Sequence, residues 1–254
     1  MKKRFGQHFL SDRHLLQRIV RLAALSPEDT VVEIGPGAGS LTRELAAAAR
    51  RVIAIEIDRD LVPALRASMP QNVEIVEGDA LEINLTQLAG GEKFHLVGNL
   101  PYNIATPLLK KFIAARAHAT DATVMLQKEV AERIRAKANS ADYGPLSVLL
   151  QYYATPVWGF TVPPGAFTPR PKVDSAVIRL EWKPAIADNT PFTDFVHHAF
   201  GSRRKKLLNN LVSMFSQKTR EELASALEAA GVSRDARAET LTVEQFLGVY
   251  NYLR

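Results

Sequence analysis

The chain has 254 residues, 46% of them hydrophobic and 23% charged, a composition that fits a folded protein with room for one large domain or an ordinary domain with a small appendage. It contains no Cys, which excludes disulfides and thiolate metal sites, and no apolar run reaches the roughly 18 residues of a membrane-spanning helix. The net charge of +5 is local: residues 1 to 21 hold six cations, among them Lys2, Lys3 and Arg4, against Asp12 alone, so the remainder is neutral in sum.

The basic start MKKRFGQHFL lacks the apolar core of a signal peptide, so a cytoplasmic location with no membrane association is expected. A second basic block, Arg203, Arg204, Lys205 and Lys206, lies far along the chain. One such block reads most simply as a solvated helix face. Two on a neutral body suggest a polyanion partner, most simply nucleic acid.

From residue 30 onward, short β-rich runs alternate with helical patterns. TVVEIG precedes SLTRELAAAA, RVIAIEID precedes RDLVPALRAS, and NVEIVEGD and FHLVGN follow; then come TPLLKKFIAA, ATVMLQ and KEVAERIRAKA. This alternation predicts a parallel sheet with helices on both faces. Near residue 155 the pattern changes. PVWGFTV and DSAVIRLEW are joined by the proline-rich PPGAFTPRPKV, too short for a crossover helix, and are expected to pair antiparallel. After residues 183 to 191 strand signals vanish and several short helices are expected, which places a domain boundary near 184.

In EIGPGAGSLT, Gly35, Gly37 and Gly39 end a strand in a turn whose missing Cβ atoms allow positive φ and close approach of a ligand. Glu56, ending the next strand, is placed to accept hydrogen bonds from two ribose hydroxyls. A dinucleotide fingerprint needs glycine at position 40, where this chain has Ser40, so an NAD-dependent oxidoreductase fits poorly. S-adenosylmethionine (SAM) fits better, having ribose and adenine but no phosphates. In EGDAL, Asp79 can accept from the adenine amino group, or simply cap a turn.

FHLVGN then runs into Asn99, Leu100, Pro101 and Tyr102. An exocyclic adenine amine is a poor nucleophile because its lone pair is delocalised into the ring. Two acceptors on its hydrogens, the Asn99 side-chain oxygen and the Leu100 carbonyl, favour a more tetrahedral nitrogen aimed at a sulfonium methyl for in-line transfer. Pro101 brings no competing N–H and fixes the backbone. Tyr102 offers a ring on which a flipped-out base stacks, a contact worth roughly 1–3 kcal/mol. No covalent nucleophile or strong base is required, since the methylated amine loses its proton to solvent.

The motifs RFGQHFL, EIGPGAG, IEIDRDL, EGDAL, GNLPYNIATPLL, MLQKEVAERI, YGPLSVLLQYY and VPPGAFTPRPKVDSAV, in this order along essentially the whole chain, resemble the bacterial KsgA-type (RsmA) ribosomal RNA adenine dimethyltransferases, relatives of the Erm methylases. The resemblance implies an α/β, Rossmann-like class I SAM-dependent methyltransferase fold. Its mostly parallel seven-stranded sheet would end in an antiparallel hairpin, with a small all-α C-terminal domain appended. It implies catalytic residues 1–184, with 1–20 folding over the cofactor and RNA site, and a helical RNA-binding domain over 185–254. It also implies N6,N6-dimethylation of two adjacent adenosines in the 3′-terminal hairpin of 16S rRNA, during maturation of the small (30S) ribosomal subunit. An additional assembly-checkpoint role, a monomer and no metal are expected with it.

By the same resemblance His8, Leu10, Gly35, Gly37, Glu56, Asp79 and Asn99 bind SAM, Phe167 sandwiches the target base with Tyr102, and Arg203 to Lys206 grip the RNA backbone. Two positions depart from the family pattern: His8 stands where Asn is usual, and Arg170 where many relatives have proline. A non-catalytic assembly factor is disfavoured by the intact Asn99–Tyr102 motif with Glu56 and Asp79. A DNA adenine methylase would more often carry Asp at position 99, and between DNA and RNA only the whole-chain resemblance decides.

Overall fold

The structure is a computed structural model and describes residues 8–183, 190–202 and 205–254. It divides into two compact units, one reaching to Ala131 and resuming over Thr155–Trp182, the other made of Glu132–Ala154 and the chain from Lys183 on.

In chain order the elements are β1 (Phe9–Leu10), α1 (Arg13–Ala23), β2 (Thr30–Ile34), α2 (Ser40–Ala46), β3 (Arg51–Glu56), α3 (Val62–Ser68), β4 (Val73–Glu77), α4 (Leu85–Leu88), β5 (Phe94–Asn99), α5 (Ala105–Ala115), β6 (Ala119–Gln127), α6 (Lys128–Arg135), α7 (Pro145–Tyr153), β7 (Ala154–Val162), β8 (Phe167–Thr168) and β9 (Ser175–Trp182). Four further helices follow: α8 (Thr190–Ala199), α9 (Leu207–Met214), α10 (Arg220–Ala229) and α11 (Val243–Leu253).

A seven-stranded sheet of order β4-β3-β2-β5-β6-β9-β7 forms the first unit. β2, β3, β4, β5 and β6 run parallel, and β9 joins β6 antiparallel. The central strand β2 is buried at all five positions, as a continuous apolar run covered on both faces should be. α1 is started by Asp12, whose carboxylate accepts from the Leu15 N–H at 3.1 Å, and it buries Leu16, Ile19 and Ala23.

The chain builds outward from β2 through β3 to β4, then returns to the other side of β2 with β5. That reversal opens a crevice beyond the carboxyl ends of β2 and β5. Register sets what lines it: Ile34 lies opposite Ile55 and Gly98, and Glu56 opposite Glu77, so the residues that follow these strands emerge at one level.

The expected terminal hairpin is more elaborate than the sequence suggests. β7 and β9 are neighbours in the sheet, but the connection between them carries β8, which leaves the sheet and pairs antiparallel with β1: Phe9 with Thr168 and Leu10 with Phe167. Two-residue strands have no period by which to be recognised in a sequence.

At the opposite end of β5, His95 is a structural staple. Its Nδ1 lies 3.0 Å from Asp121 and its Nε2 3.2 Å from Asp29, while Arg179 donates to the other Asp121 oxygen at 2.7 Å. Among the described residues no His, Asp or Glu cluster has the arrangement of a metal site. Nor is any described helix long and apolar enough to cross a membrane.

The second unit is helical. Phe192, Phe195, Leu207, Leu211, Leu223, Leu227 and Phe246 form its core, and Thr219 and Thr242 open α10 and α11 with reciprocal capping boxes to Glu222 and Gln245. Tyr143, Val148 and Leu149 are buried in the same cluster, so residues 132–154 group with these helices rather than with the sheet, as the 1–184 division expects. Position 184 itself lies outside the described residues.

Candidate active site

Three glycines shape the turn after β2: Gly35, Gly37 and Gly39 all have positive φ, at 71°, 58° and 79°. At Gly37 a side chain is also excluded by space, since a Cβ there would lie 2.8 Å from the Phe9 ring of β1. The glycine turn and the segment laid over it are thus fitted to one another.

Glu56 ends β3 at 2% exposure beneath this turn. One carboxylate oxygen accepts from the Gly37 N–H at 3.0 Å and the other from the Asp58 N–H at 2.9 Å. Burial raises its pKa, and the backbone donors offset part of that rise. The carboxylate is therefore held in one orientation with lone pairs to spare, as a bidentate acceptor for a diol needs.

After β4, Asp79 uses one oxygen to cap its own turn, accepting from the Leu81 N–H at 2.8 Å. It lines the same cavity, so turn-capping and an acceptor role coexist at this residue. At the end of β5 the Asn99 Nδ2 donates to the His8 carbonyl at 2.9 Å, which fixes the amide and leaves its oxygen available as an acceptor. Leu100 is held by its N–H to the Met125 carbonyl at 2.9 Å, and the Pro101 carbonyl accepts from Ile104 at 3.1 Å as the chain turns into α5. The Tyr102 hydroxyl lies 2.6 Å from Ser175 Oγ; burial raises its pKa, so the phenol stays neutral.

His8, Leu10, Gly35, Gly37, Glu56, Asp79, Asn99, Leu100, Pro101 and Tyr102 all line this one cavity. Phe167 does not. It is 2% exposed, paired with Leu10 and packed in the core under α1, so here it supports β1 and does not face Tyr102. The Tyr102 ring is instead stacked by His8, 5.6 Å between centroids at 28°, and the His8 Nδ1 hydrogen-bonds the Pro169 carbonyl at 2.7 Å.

Lys2, Lys3, Arg4, Arg203 and Arg204 lie outside the described residues. Lys205 is exposed, and Lys206 forms an exposed ion pair with Asp235 at 2.6 Å, a bond cheap to exchange for a phosphate. Arg170 is exposed.

Two residues missed in the sequence complete the cavity. Ile57, immediately after Glu56, is 41% exposed for an aliphatic side chain and offers an apolar face beside the diol acceptor. Glu33, 1% exposed in β2, lines the cavity with its Oε2 lacking any hydrogen-bond partner in the protein. Burial pushes its carboxyl up to about 8, helped by the neighbouring Glu56 charge, against which Thr42 acts only in part. The signal for Ile57 was its place just beyond a strand end; Glu33, inside a strand, carried none.

A mostly parallel sheet of this order, with a glycine turn, a diol acceptor and an Asn-Leu-Pro-Tyr strand end around one cavity, defines a Rossmann-like methyltransferase. The match to the family model of ribosomal RNA adenine dimethylases extends over residues 1–254, and the chain belongs to that family. It is 44% identical over 255 residues to the ribosomal RNA small subunit methyltransferase A of Acinetobacter baylyi, covering 98% of this chain and 90% of that one. To the protein of the same name from Alkaliphilus metalliredigens it is 41% identical, over 96% and 88% of the two chains.

Among solved structures it resembles a dimethyladenosine transferase from Plasmodium falciparum (TM-score 0.81, 27% identity, 95% and 96% of the two chains). It also resembles the 23S rRNA methyltransferase ErmE (TM-score 0.75, 31% identity, 96% and 99%). The chain is thus a methyltransferase acting on ribosomal RNA, and as such uses SAM.

Proposed function

We propose that this protein transfers two methyl groups to the N6 amine of each of two adjacent adenosines in the 3′-terminal hairpin of 16S rRNA, acting in the cytoplasm as a monomer on immature 30S subunits. The observation that carries this reading is the placement of Asn99–Tyr102 at the mouth of the cavity that holds Glu56 and Asp79. Any amine presented to the Asn99 oxygen sits beside the cofactor's acceptors.

The donor set fits SAM, which supplies an electrophilic methyl when bound. Glu56 takes the ribose hydroxyls, Asp79 and the apolar Ile57 take the adenine, and the glycine turn with His8 and Leu10 admits the amino-acid portion. The unpartnered Glu33 carboxyl lies on the wall of that same cavity, where a cationic ligand suits it.

Asn99 and the Leu100 carbonyl accept the two N6 hydrogens and hold the lone pair out of the ring plane. Tyr102 supplies the stacking face once the base displaces the His8 ring. Phe167 acts through β1, which it keeps over the cavity. Each turnover forms one N–C bond at the amine, and one N–H proton leaves to water.

Incubation with labelled SAM and small subunits from a strain lacking this modification, followed by nucleoside analysis, is expected to yield N6,N6-dimethyladenosine. Active protein that produces none refutes the proposal. His8 meets Asn99 through its backbone carbonyl rather than its ring, so His8→Asn is expected to change the SAM KM by less than about threefold, within the few tenths of a kcal/mol typical of an exposed substitution. A large rise in that KM would show that the ring itself holds the cofactor.

A further inference from the structure

Outside the cavity, α1 and the edge strand β7 enclose a second, open groove. Its helix wall is a stripe of His14, Arg18 and Arg21, the face opposite to buried Leu16, Ile19 and Ala23. These positions recur at i, i+4 and i+7, so the stripe runs straight along the helix for roughly 10 Å. Its strand wall is Trp158 and Phe160, with the Arg18 guanidinium 3.8 Å above the Phe160 ring.

No carboxylate lines this groove, and neither Arg18 nor Arg21 has an ion-pair partner among the described residues. Arg13, on another face of the same helix, is by contrast paired with Glu44 at 3.2 Å. Tight packing holds the walls together: a Cβ at Gly159 would meet the Leu22 side chain and, at 2.9 Å, the Val177 carbonyl. Cations left without carboxylates beside half-buried aromatic rings suit a chain of phosphates bearing flat bases, and suit little else.

α1 follows directly on β1, the strand that crosses the glycine turn, so a polynucleotide leaving the cavity mouth meets this helix next.

We infer that the groove between α1 and β7 is a second anchoring site for the substrate RNA. In it Arg21 and His14 contact backbone phosphates, and Arg18 with Trp158 stacks a base of the strand flanking the target. This rests on the RNA substrate proposed above and adds a contact surface away from the reacting amine.

The test is Arg18→Gln/Arg21→Gln and, separately, Trp158→Leu, each assayed for methylation of unmodified small subunits across a salt series. Thermal unfolding and SAM binding are measured alongside. The double variant is expected to raise the KM for subunits about 5- to 50-fold and to flatten the slope of log K against log salt by about 1, the change for one or two lost phosphate contacts. Trp158→Leu is expected to weaken binding by about 5-fold or more with the slope unchanged, as loss of a stacking contact should. In both, kcat at saturating subunits and SAM affinity stay at the wild-type values.

Subunit KM unchanged in both variants, while the wild-type protein still methylates, overturns the groove and leaves the proposed function standing. Weakened binding to intact subunits but not to the isolated RNA hairpin with its flanking strands assigns the groove to a ribosomal protein and overturns the RNA anchor. Loss of wild-type activity would instead strike the proposed function itself.

Discussion

Asn99→Ala is expected to lower kcat by about 10²- to 10³-fold, the usual cost of removing one preorganised hydrogen-bonding group at a reacting centre. The amide has two separable duties. Its Nδ2 donates to the His8 carbonyl at 2.9 Å and so fastens the segment that crosses the cavity; its oxygen is left for the substrate amine. Asn99→Asp separates them, since a carboxylate keeps the acceptor but has no N–H for His8 and sets negative charge against a carbonyl. If the acceptor matters most, Asp retains far more activity than Ala, with a raised SAM Kd as the mark of the loosened segment. If the fastening matters most, the two variants lose kcat alike. Single-turnover rates at saturating SAM distinguish these outcomes, and a rise in SAM Kd with an unchanged chemical rate in both variants would remove Asn99 from the reaction altogether.

What could be read in the sequence and what could not divide along physical lines. Gly35, Glu56, Asp79 and Asn99 were legible because each ends a strand, and strand ends in an alternating α/β pattern are marked by apolar runs that stop on a glycine or a polar residue. A parallel sheet then brings such ends to one edge without further information. The β1–β8 pair was not legible, being too short for any periodicity, and the position of Phe167 depended on it. An aromatic residue in a proline-rich connection reads equally well as a stacking ring and as a plug, and pairing with Leu10 makes it the plug here. Residues 132–154 carry apolar side chains on several faces, so their sequence does not say which core Tyr143 and Val148 enter. The roles of His8 were hidden for another reason. Its link to Asn99 is a backbone carbonyl, which any residue provides, whereas its ring lies on Tyr102 through a contact that only the folded chain creates.

Glu33 is expected to make the stability of the protein fall as pH rises through neutrality, and Glu33→Gln to remove that dependence. An ordinary Glu titrates near 4.5, whereas this buried carboxyl, with one oxygen unpartnered, is pushed up to about 8. Between those values the folded state keeps a proton that the unfolded state has lost, so raising the pH favours unfolding throughout the window, by up to roughly 5 kcal/mol across it. Below about pH 4.5 the group is neutral in both states and has no effect. The buried Glu56 carboxyl is also raised, but it is present in both proteins and cancels from their difference. Glutamine matches the neutral acid in shape while adding a buried N–H, so a constant offset between the two proteins is expected, and the informative quantity is how their Tm difference changes with pH. From pH 5 to pH 9 that difference is expected to shift in favour of Glu33→Gln by roughly 5–10 °C for a chain of this size. Saturating SAM, which brings positive charge into the same cavity, is expected to shrink the shift, because the ionised carboxylate then has a partner. Tm-against-pH curves that run parallel for the two proteins would mean that Glu33 ionises freely in the folded state, and that its unpartnered oxygen costs nothing.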